Sequence, residues 1–453
     1  MSGALAILAV LMPLGSLAVA RSRLLPFQLV FLQLSLIAVG FISIGVRAAN
    51  EVPAELVVVG LAVLGAGYLA ARRSRPFSAG NPRSDAHATG AELTALSAVG
   101  IVLALLVGYH FNAVGIPLLA SDIETRRFDF LGSGLFGLPG RAMLFGVVVF
   151  FFLTIGYLSR YRSRATIVLA VSAFALLAIT RLASGFRSSL LELILFVAIA
   201  HLLSGRAVSV ARAAAIYTVP VAIALFFAVG LSGRYETIAS GQTGPTAPSG
   251  EPAYVAEPPP PAESAPNQSL QSRVLVIGER ATGGAAGSGF LVLAHRQLIP
   301  DTGNSLLNDL RYYIPRYLQL SPAAGSYPFV KVVSATLYGT PLARDSFIVP
   351  VTIGAFPTLY FDFGLLAFPL YLLLGALYAV LERRAVHSPS PLIFTAYGVG
   401  ILALNDYLTK GDLIFDVLNW TAMLLFVAVL FVIIRRLAGT LSWRMMRLRP
   451  SVG

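Results

Sequence analysis

Arginines beside short turns between apolar segments are the side chains of this sequence best suited to binding an anion. Arg181 and Arg187 flank the turn LASGF between two apolar windows. A guanidinium is planar and permanently charged, and it can donate two parallel hydrogen bonds to a phosphate, which a lysine cannot. It also costs about 2.5 to 3.5 kcal/mol at the bilayer centre and less at the surface, so snorkelling to lipid phosphates is a second interpretation.

A second charge-rich segment spans residues 115 to 141, GIPLLASDIETRRFDFLGSGLFGLPGR. Its ionisable residues are Asp122, Glu124, Arg126, Arg127 and Asp129. They could form a salt-bridge cluster on a solvated loop. The glycines at 132, 134, 137 and 140 equally allow a loop folded back on the protein, in which case some of these charges face a cavity.

The longest polar stretch, from about Ser232 to Pro350, divides into three parts. Residues 241 to 270 are rich in proline and small residues and predict a disordered tether. Helical patterning follows at about 271 to 296 and 303 to 319, and in the second helix Leu307, Leu310, Ile314 and Leu318 share one face, which predicts a helix on the membrane surface. The segment from Phe347 to Tyr360 is apolar but interrupted by prolines, and predicts a half-helix returning to the membrane.

The composition predicts a polytopic membrane protein. Of 453 residues, 57% are hydrophobic and 12% charged, whereas soluble domains have roughly 25% charged residues. The net charge of +12 is then explained by arginines beside anionic headgroups, not by nucleic acid. The absence of cysteine excludes disulfides and thiolate chemistry.

Eleven apolar windows are long enough to cross a bilayer. They lie near residues 3 to 20, 25 to 46, 54 to 71, 91 to 110, 141 to 158, 165 to 181, 189 to 204, 213 to 231, 362 to 381, 390 to 406 and 413 to 434. The arginine groups alternate sides if those near positions 21, 72, 160, 206 and 383 and the C-terminal tail are cytoplasmic. We therefore expect an all-α bundle of about 11–12 spans, divided into residues 1 to 231, an external loop at 232 to 350, and residues 351 to 453.

Few other ionisable residues lie in or near the spans. Glu192, Asp362, Asp406 and Asp416 could mark a proton or ion path. Asp406, Asp412 and Asp416 surround a short turn, where we expect water to solvate them. The sequence contains no phosphate-binding loop of the Walker type, no zinc helix of the HExxH type and no GxSxG nucleophile motif.

Several external segments together resemble a known family. They are the GIPLL start at 115 with the acidic and arginine patch that follows, the turn at 185 to 189 (GFRSS), and the stretch YGTPLARDSFIVPVTIGAFPTLYFDFG at 338 to 364. In these features the chain resembles bacterial polymerases of oligosaccharide repeat units, the Wzy-type O-antigen and exopolysaccharide polymerases. The Pro-rich insertion and the odd number of spans depart from that family.

The resemblance implies a metal-independent glycosyltransferase of the GT-C type, without a cofactor, in the bacterial inner membrane and with its active site facing the periplasm. Donor and acceptor would be oligosaccharides linked to polyprenyl pyrophosphate, and a flippase and a chain-length regulator would be possible partners. Preplaced arginines would stabilise the departing pyrophosphate; the candidates are Arg187, Arg280, Arg311 and Arg316, followed by Arg126 and Arg127. The acceptor hydroxyl would need a base, for which Glu279, His295 and Asp345 are the candidates.

Three other functions remain open from the sequence, one of them a non-catalytic assembly partner, which would need no inward-facing arginines. An O-antigen ligase would transfer a similar chain to a lipid A core. A transporter or flippase of anionic lipid-linked sugars would also place arginines on the external side, although it would be expected to contain internal repeats, and none is evident between the two halves.

Overall fold

The computed structural model describes a bundle of long helices. The residues that it describes are 8, 11–13, 23–47, 54–73, 88–119, 137–161, 163–184, 189–204, 208–209, 211–218, 220, 222, 305–317, 327–338, 353–388 and 390–447. Within them the helices are α1 Pro26–Arg47, α2 Ala54–Arg73, α3 Gly90–Val114, α4 Leu138–Arg141, α5 Val147–Arg160, α6 Arg164–Ala183, α7 Ser189–Leu203, α8 Ser305–Tyr317, α9 Phe329–Tyr338, α10 Ala355–Phe363, α11 Ala367–Val386, α12 Pro391–Lys410 and α13 Leu413–Arg447.

Shorter elements complete the described fold. A π-helical turn, Ala142–Gly146, joins α4 to α5, and 3-10 turns at Pro117–Leu119 and Gly364–Leu366 follow α3 and α10. Two-residue strands β1 (Arg23–Leu24) and β2 (Val208–Ser209) pair antiparallel, with Arg23 opposite Ser209. Residues 211–218 are also helical.

Six stretches of the described chain are long and apolar enough to cross a membrane. They are Gly90–Leu119, Leu138–Arg160, Arg164–Ala183, Ala355–Val386, Pro391–Lys410 and Leu413–Thr440. Shorter apolar helices lie at Pro26–Gly40, Leu56–Arg72 and Leu190–Leu203. The prediction of a helical chain is thus confirmed, and it contains several helices that are long and apolar enough to cross a membrane. Nine of the eleven apolar windows coincide with the helices named here. The windows near 3 to 20 and 213 to 231 lie largely outside the described residues.

Local sequence signals set several helix ends. Thr89 and Glu92 form a capping box at the start of α3, in which each side chain accepts a hydrogen bond from the backbone N–H of the other. Ser163 caps α6 in the same way, and the Ser390 hydroxyl accepts a hydrogen bond from Ile393 at the start of α12. The caps of α3 and α6 follow connections that contain arginine.

Two of the arginines predicted to be cytoplasmic lie at one end of the bundle. Arg160, at the end of α5, donates to the carbonyl of Ser388 just after α11. Arg435 on α13 pairs with Glu92 at the start of α3, with 3.2 Å between the charged atoms. These two arginines therefore lie near each other, as the prediction that both are on one side requires. The side itself stays a prediction.

Two glycines allow α2 and α11 to pack with their backbones in contact. A Cβ at Gly67 would lie 2.1 Å from the carbonyl oxygen of Leu372, and a Cβ at Gly375 would lie 2.0 Å from that of Leu64. Small residues at such crossings allow the close packing that holds membrane helices together. This contact fixes α11, and through it α10, which helps to form the site described below.

We expect Gly67→Ala and Gly375→Ala to lower the free energy of unfolding by about 1–3 kcal/mol or more, because the new methyl group meets backbone atoms that cannot rotate away. Thermal unfolding in detergent measures the effect. Gly108→Ala is the matched control, because a Cβ there meets no atom within 4 Å. Equal stability of the Gly67 and Gly108 variants would contradict the inferred packing.

Candidate functional site

Five aspartates gather where α8, α10 and the turn between α12 and α13 meet. This acidic cluster consists of Asp309, Asp362, Asp406, Asp412 and Asp416. Apart from Asp362, which is half-buried, each is at most 8% exposed. The prediction that water solvates Asp406, Asp412 and Asp416 is wrong, because α8 and α10 pack against the turn. Buried carboxyls need hydrogen bonds, counter-ions or protons, so the residues around the cluster must supply them.

Gly411 lets α10 approach the α12–α13 turn closely. It adopts a φ of +87°, a conformation that residues with a Cβ disfavour. A Cβ at this position would lie 2.8 Å from the carbonyl oxygen of Gly354. The N–H groups of Ile353 and Gly354 donate to the carbonyl of Lys410 at 3.1 and 3.2 Å. The turn therefore holds Lys410 and Asp412 on either side of a tightly packed corner.

Two aspartates attach α8 to the membrane helices. Asp362 accepts hydrogen bonds from the backbone N–H of Ser305, at 2.8 Å, and from its hydroxyl. Asp412 accepts one from the Tyr313 hydroxyl at 2.8 Å and one from the N–H of Phe415 at 3.0 Å. Because Ser305 and Tyr313 are two turns apart, α8 is held along most of its length.

On the deeper side of the acidic cluster, some buried oxygen atoms lack a hydrogen-bond partner within the described residues. Asp406 pairs with the Lys410 amino group at 3.1 Å and accepts a hydrogen bond from the Trp420 indole at 2.8 Å. Asp416 is 1% exposed and Asn419 is fully buried, and Asp416 Oδ2 and Asn419 Oδ1 have no hydrogen-bond partner within the described residues. A buried acceptor of this kind calls for a proton, a water or a ligand that donates a hydrogen bond.

Asp309 is a buried carboxyl whose pKa is raised towards neutral pH. Its Oδ1 accepts a hydrogen bond from the backbone N–H of Phe329 at 2.8 Å. Burial raises the pKa of Asp309 to about 8, and the nearby carboxylates of Asp412 and Asp362 add to the rise, which the Phe329 N–H opposes. Burial also raises the pKa of Asp412, to about 6, against the hydrogen bonds that this carboxylate accepts. A strongly shifted carboxyl beside a specific charged partner is a common feature of functional sites.

Two arginines form a basic edge next to the acidic cluster. The guanidinium of Arg141 lies over the ring of Tyr317, 3.9 Å from its centroid, and Arg316 is close enough to repel it electrostatically. Arg316 itself donates to the Tyr312 hydroxyl. In the described part of the chain neither arginine forms an ion pair, and the Nε of Arg141 is buried without a hydrogen-bond partner. Two neighbouring cations without a carboxylate partner are suited to binding an anion.

Arg181 has a structural role, which neither interpretation from the sequence predicted. It is 6% exposed and pairs with Glu192 at 2.9 Å. It also donates to the carbonyl of Leu144 in the π-helical turn and lies 5.0 Å from the ring centre of Phe196. Because its charge is neutralised inside the protein, Arg181 neither snorkels to lipid nor lies free to grip phosphate. Glu192 is correspondingly a counter-ion in this pair.

Only two of the predicted site residues belong to the described part of the chain. Arg316 lies at the basic edge, whereas Arg311 is exposed on the face of α8 that points away from the acidic cluster. The other predicted residues lie outside the described residues: Arg126, Arg127, Arg187, Glu279, Arg280, His295 and Asp345. The helix predicted at 303 to 319 is confirmed as α8, whereas the one predicted at 271 to 296 lies outside that part.

Reasoning from the sequence missed Asp309, Tyr313 and Asp412 as site residues. The sequence feature that could have revealed two of them is the side of α8 opposite Leu307 and Ile314. Asp309 and Tyr313 are four residues apart and therefore share that side. A polar face on a helix beside a membrane indicates a partner inside the protein.

Across the described ranges, no group of three His, Cys, Asp or Glu side chains is arranged to hold a metal ion. Comparisons of the chain with protein families, with curated proteins and with solved structures find no match.

We expect Tyr313→Phe to lower the free energy of unfolding by about 1–3 kcal/mol, because the buried Asp412 carboxylate loses a hydrogen-bond donor. Thermal unfolding in detergent at pH 7 measures the loss. Tyr109→Phe is the control, since Tyr109 is 55% exposed on α3. If the two variants were equally stable, the hydrogen bond between Tyr313 and Asp412 would not stabilise the attachment of α8.

Proposed function

We propose that this protein is a membrane-embedded glycosyltransferase that joins oligosaccharide repeat units carried on polyprenyl pyrophosphate. The observation that supports this most is that one helix carries both groups. Asp309 of α8 is a buried carboxyl whose pKa burial raises to about 8, and the C-terminal end of α8 carries Arg316 and the Tyr317 ring over which Arg141 lies. The family resemblance of the external segments adds to it. The site would face the periplasm, opposite the end that carries Arg160 and Arg435.

The proposed reaction needs a base and an anion site close together. The acceptor hydroxyl oxygen forms a bond to the anomeric carbon of the donor, the bond from that carbon to the pyrophosphate oxygen breaks, and the hydroxyl proton passes to a base. Asp309 is the proposed base, since a base works best when its pKa is near the operating pH. Arg141 and Arg316 would stabilise the charge on the departing pyrophosphate, which already placed donors do without reorganising.

The residues predicted from the sequence alone extend this proposal. Arg126, Arg127, Arg187 and Arg280 stay predictions as further pyrophosphate ligands, because two lipid pyrophosphates must be held. Glu279, His295 and Asp345 stay predictions as alternative bases. The metal-independent reaction, the GT-C-like arrangement and the partner proteins are likewise part of the proposal.

A transporter of lipid-linked sugars is the second candidate, and the buried carboxyls are the observation that favours it, since transporters use such groups as proton relays. However, the buried side chains of α13 between Asn419 and Arg435 are Trp420, Met423, Val427 and Phe431, all apolar. A polar path along this helix therefore ends inside the membrane, which favours chemistry at one surface.

Reconstitution with lipid-linked repeat units tests the proposal. We expect a ladder of longer glycans without nucleotide sugar, a loss of roughly 100-fold or more in kcat for Asp309→Asn, and a similar loss for Arg141→Ala. Glu92→Gln is the matched control, because it alters a buried carboxylate at the opposite end of the bundle.

If the wild-type protein left the lipid-linked repeat units unchanged, the proposal of a polymerase would be overturned. Transfer only to a lipid A core would indicate the ligase, and movement of intact lipid-linked sugar across the vesicle membrane would indicate the transporter.

The pH dependence gives a separate prediction. If Asp309 is the base, kcat/KM rises with pH up to about 8 and the rise disappears in Asp309→Asn. The free energy of unfolding changes in the opposite direction. Between about pH 4 and 8 the Asp309 carboxyl keeps its proton in the folded state, whereas in the unfolded state, where its pKa is near 3.8, it releases the proton. The protein therefore becomes less stable as the pH rises from about 4 to about 8. The groups facing Asp309 are Asp412, Asp362, Tyr313 and Tyr407.

Activity against pH and thermal unfolding against pH measure the two slopes, with Asp309→Asn beside the wild type. Slopes that persist unchanged in the variant would assign them to a neighbouring group.

A further inference from the structure

The surface of α8 that points away from the acidic cluster combines apolar side chains with one arginine. Leu307 and Ile314 are each 43% exposed, and Arg311 lies between them along the same side of the helix. The side facing the bundle holds the buried polar residues Ser305 and Asp309. The helix is thus polar inside and apolar outside, the reverse of a helix on a water-soluble protein.

Hydrogen bonds to the bundle fix this orientation. Ser305 is bonded to Asp362, Tyr313 to Asp412, and Asp309 to the N–H of Phe329. All three anchors use the inward side of α8. A rotation that brought Leu307 inward would break them and bury the leucine against carboxylates.

The anchors also set the depth of α8 relative to the membrane. Asp412 lies between the two membrane-crossing stretches that end at Lys410 and begin at Leu413. A helix bonded to this residue lies where the apolar part of the bundle ends, which is the level of the lipid headgroups.

We propose that the outward face of α8 lies at the boundary between headgroups and acyl chains, and that Arg311 binds the phosphate of an anionic phospholipid. Leu307 and Ile314 would contact acyl chains, and the guanidinium would reach up to the headgroup. Within the described residues Arg311 forms no ion pair, so its charge is available to a lipid. This assigns Arg311 to bulk lipid and not to the sugar-linked pyrophosphate, and the inference stands whether or not the proposed function is correct.

Site-directed spin labelling tests the position of the helix, and the absence of cysteine in the chain means that no background thiol has to be removed. Nitroxides are attached to Leu307→Cys and Ile314→Cys in phosphatidylcholine–phosphatidylglycerol vesicles, with Leu105→Cys, 68% exposed on α3, as the acyl-chain reference. We expect both α8 labels to be more accessible to oxygen than to a water-soluble nickel complex. Labels that the nickel complex reaches freely, or that neither reagent reaches because protein covers them, would overturn the proposal.

Lipid retention tests the role of Arg311. Native mass spectrometry of the full chain compares bound phosphatidylglycerol with phosphatidylcholine for the wild type, Arg311→Ala and Arg311→Lys. We expect an anionic preference that falls about fivefold in Arg311→Ala and is largely kept in Arg311→Lys, since one basic residue near an anionic surface contributes an effect of that order.

Added inorganic pyrophosphate separates the two possible sources of phosphate. If Arg311 binds bulk lipid, pyrophosphate leaves the retained phosphatidylglycerol unchanged. Displacement of phosphatidylglycerol by pyrophosphate in the wild type but not in Arg311→Ala would instead assign Arg311 to the substrate, and an unchanged preference in Arg311→Ala would also refute its role.

Discussion

The tight contact between Gly411 and Gly354 is the constraint on which the candidate site depends. It brings the start of α10 against the α12–α13 turn, and two N–H groups converge there on the Lys410 carbonyl. Asp412 follows directly and receives the Tyr313 hydroxyl, so the position of α8 is set by the shape of this turn. A residue with a Cβ at position 411 would both strain the backbone and push α10 away.

Burial of charge then decides how the surrounding elements are arranged. Arg181 and Glu192 neutralise each other and support the π-helical turn, which leads back to Arg141. Irregular turns of this kind often occur at functional sites because they redirect nearby side chains. Arg141 lies over the Tyr317 ring and has no carboxylate partner among the described residues, so in the proposed function its charge would be balanced by the bound anion.

Hydrophobic patterning predicted the helices well because long apolar windows have few alternatives in a membrane. It predicted α8 from the spacing of Leu307, Leu310 and Ile314. It could not show that Asp412 and Asp416 are buried, because their burial depends on α8, which is about 100 residues earlier in the chain. Nor could it separate Arg181 from Arg141, since only the fold provides Glu192 to one and an aromatic ring to the other.

The orientation of α8 depends on what surrounds each of its two faces. A helix at the membrane surface can expose apolar residues to lipid at low free-energy cost, which leaves its polar face available to the protein. That face supplies Asp309 to a region already rich in carboxylates, where burial, and after it the charge of the neighbouring carboxylates, raises the pKa of Asp309. In water, the apolar side of the helix would have turned inward and Asp309 would have been solvated. On the proposed placement of α8, the membrane would therefore contribute to the burial that raises the pKa of Asp309.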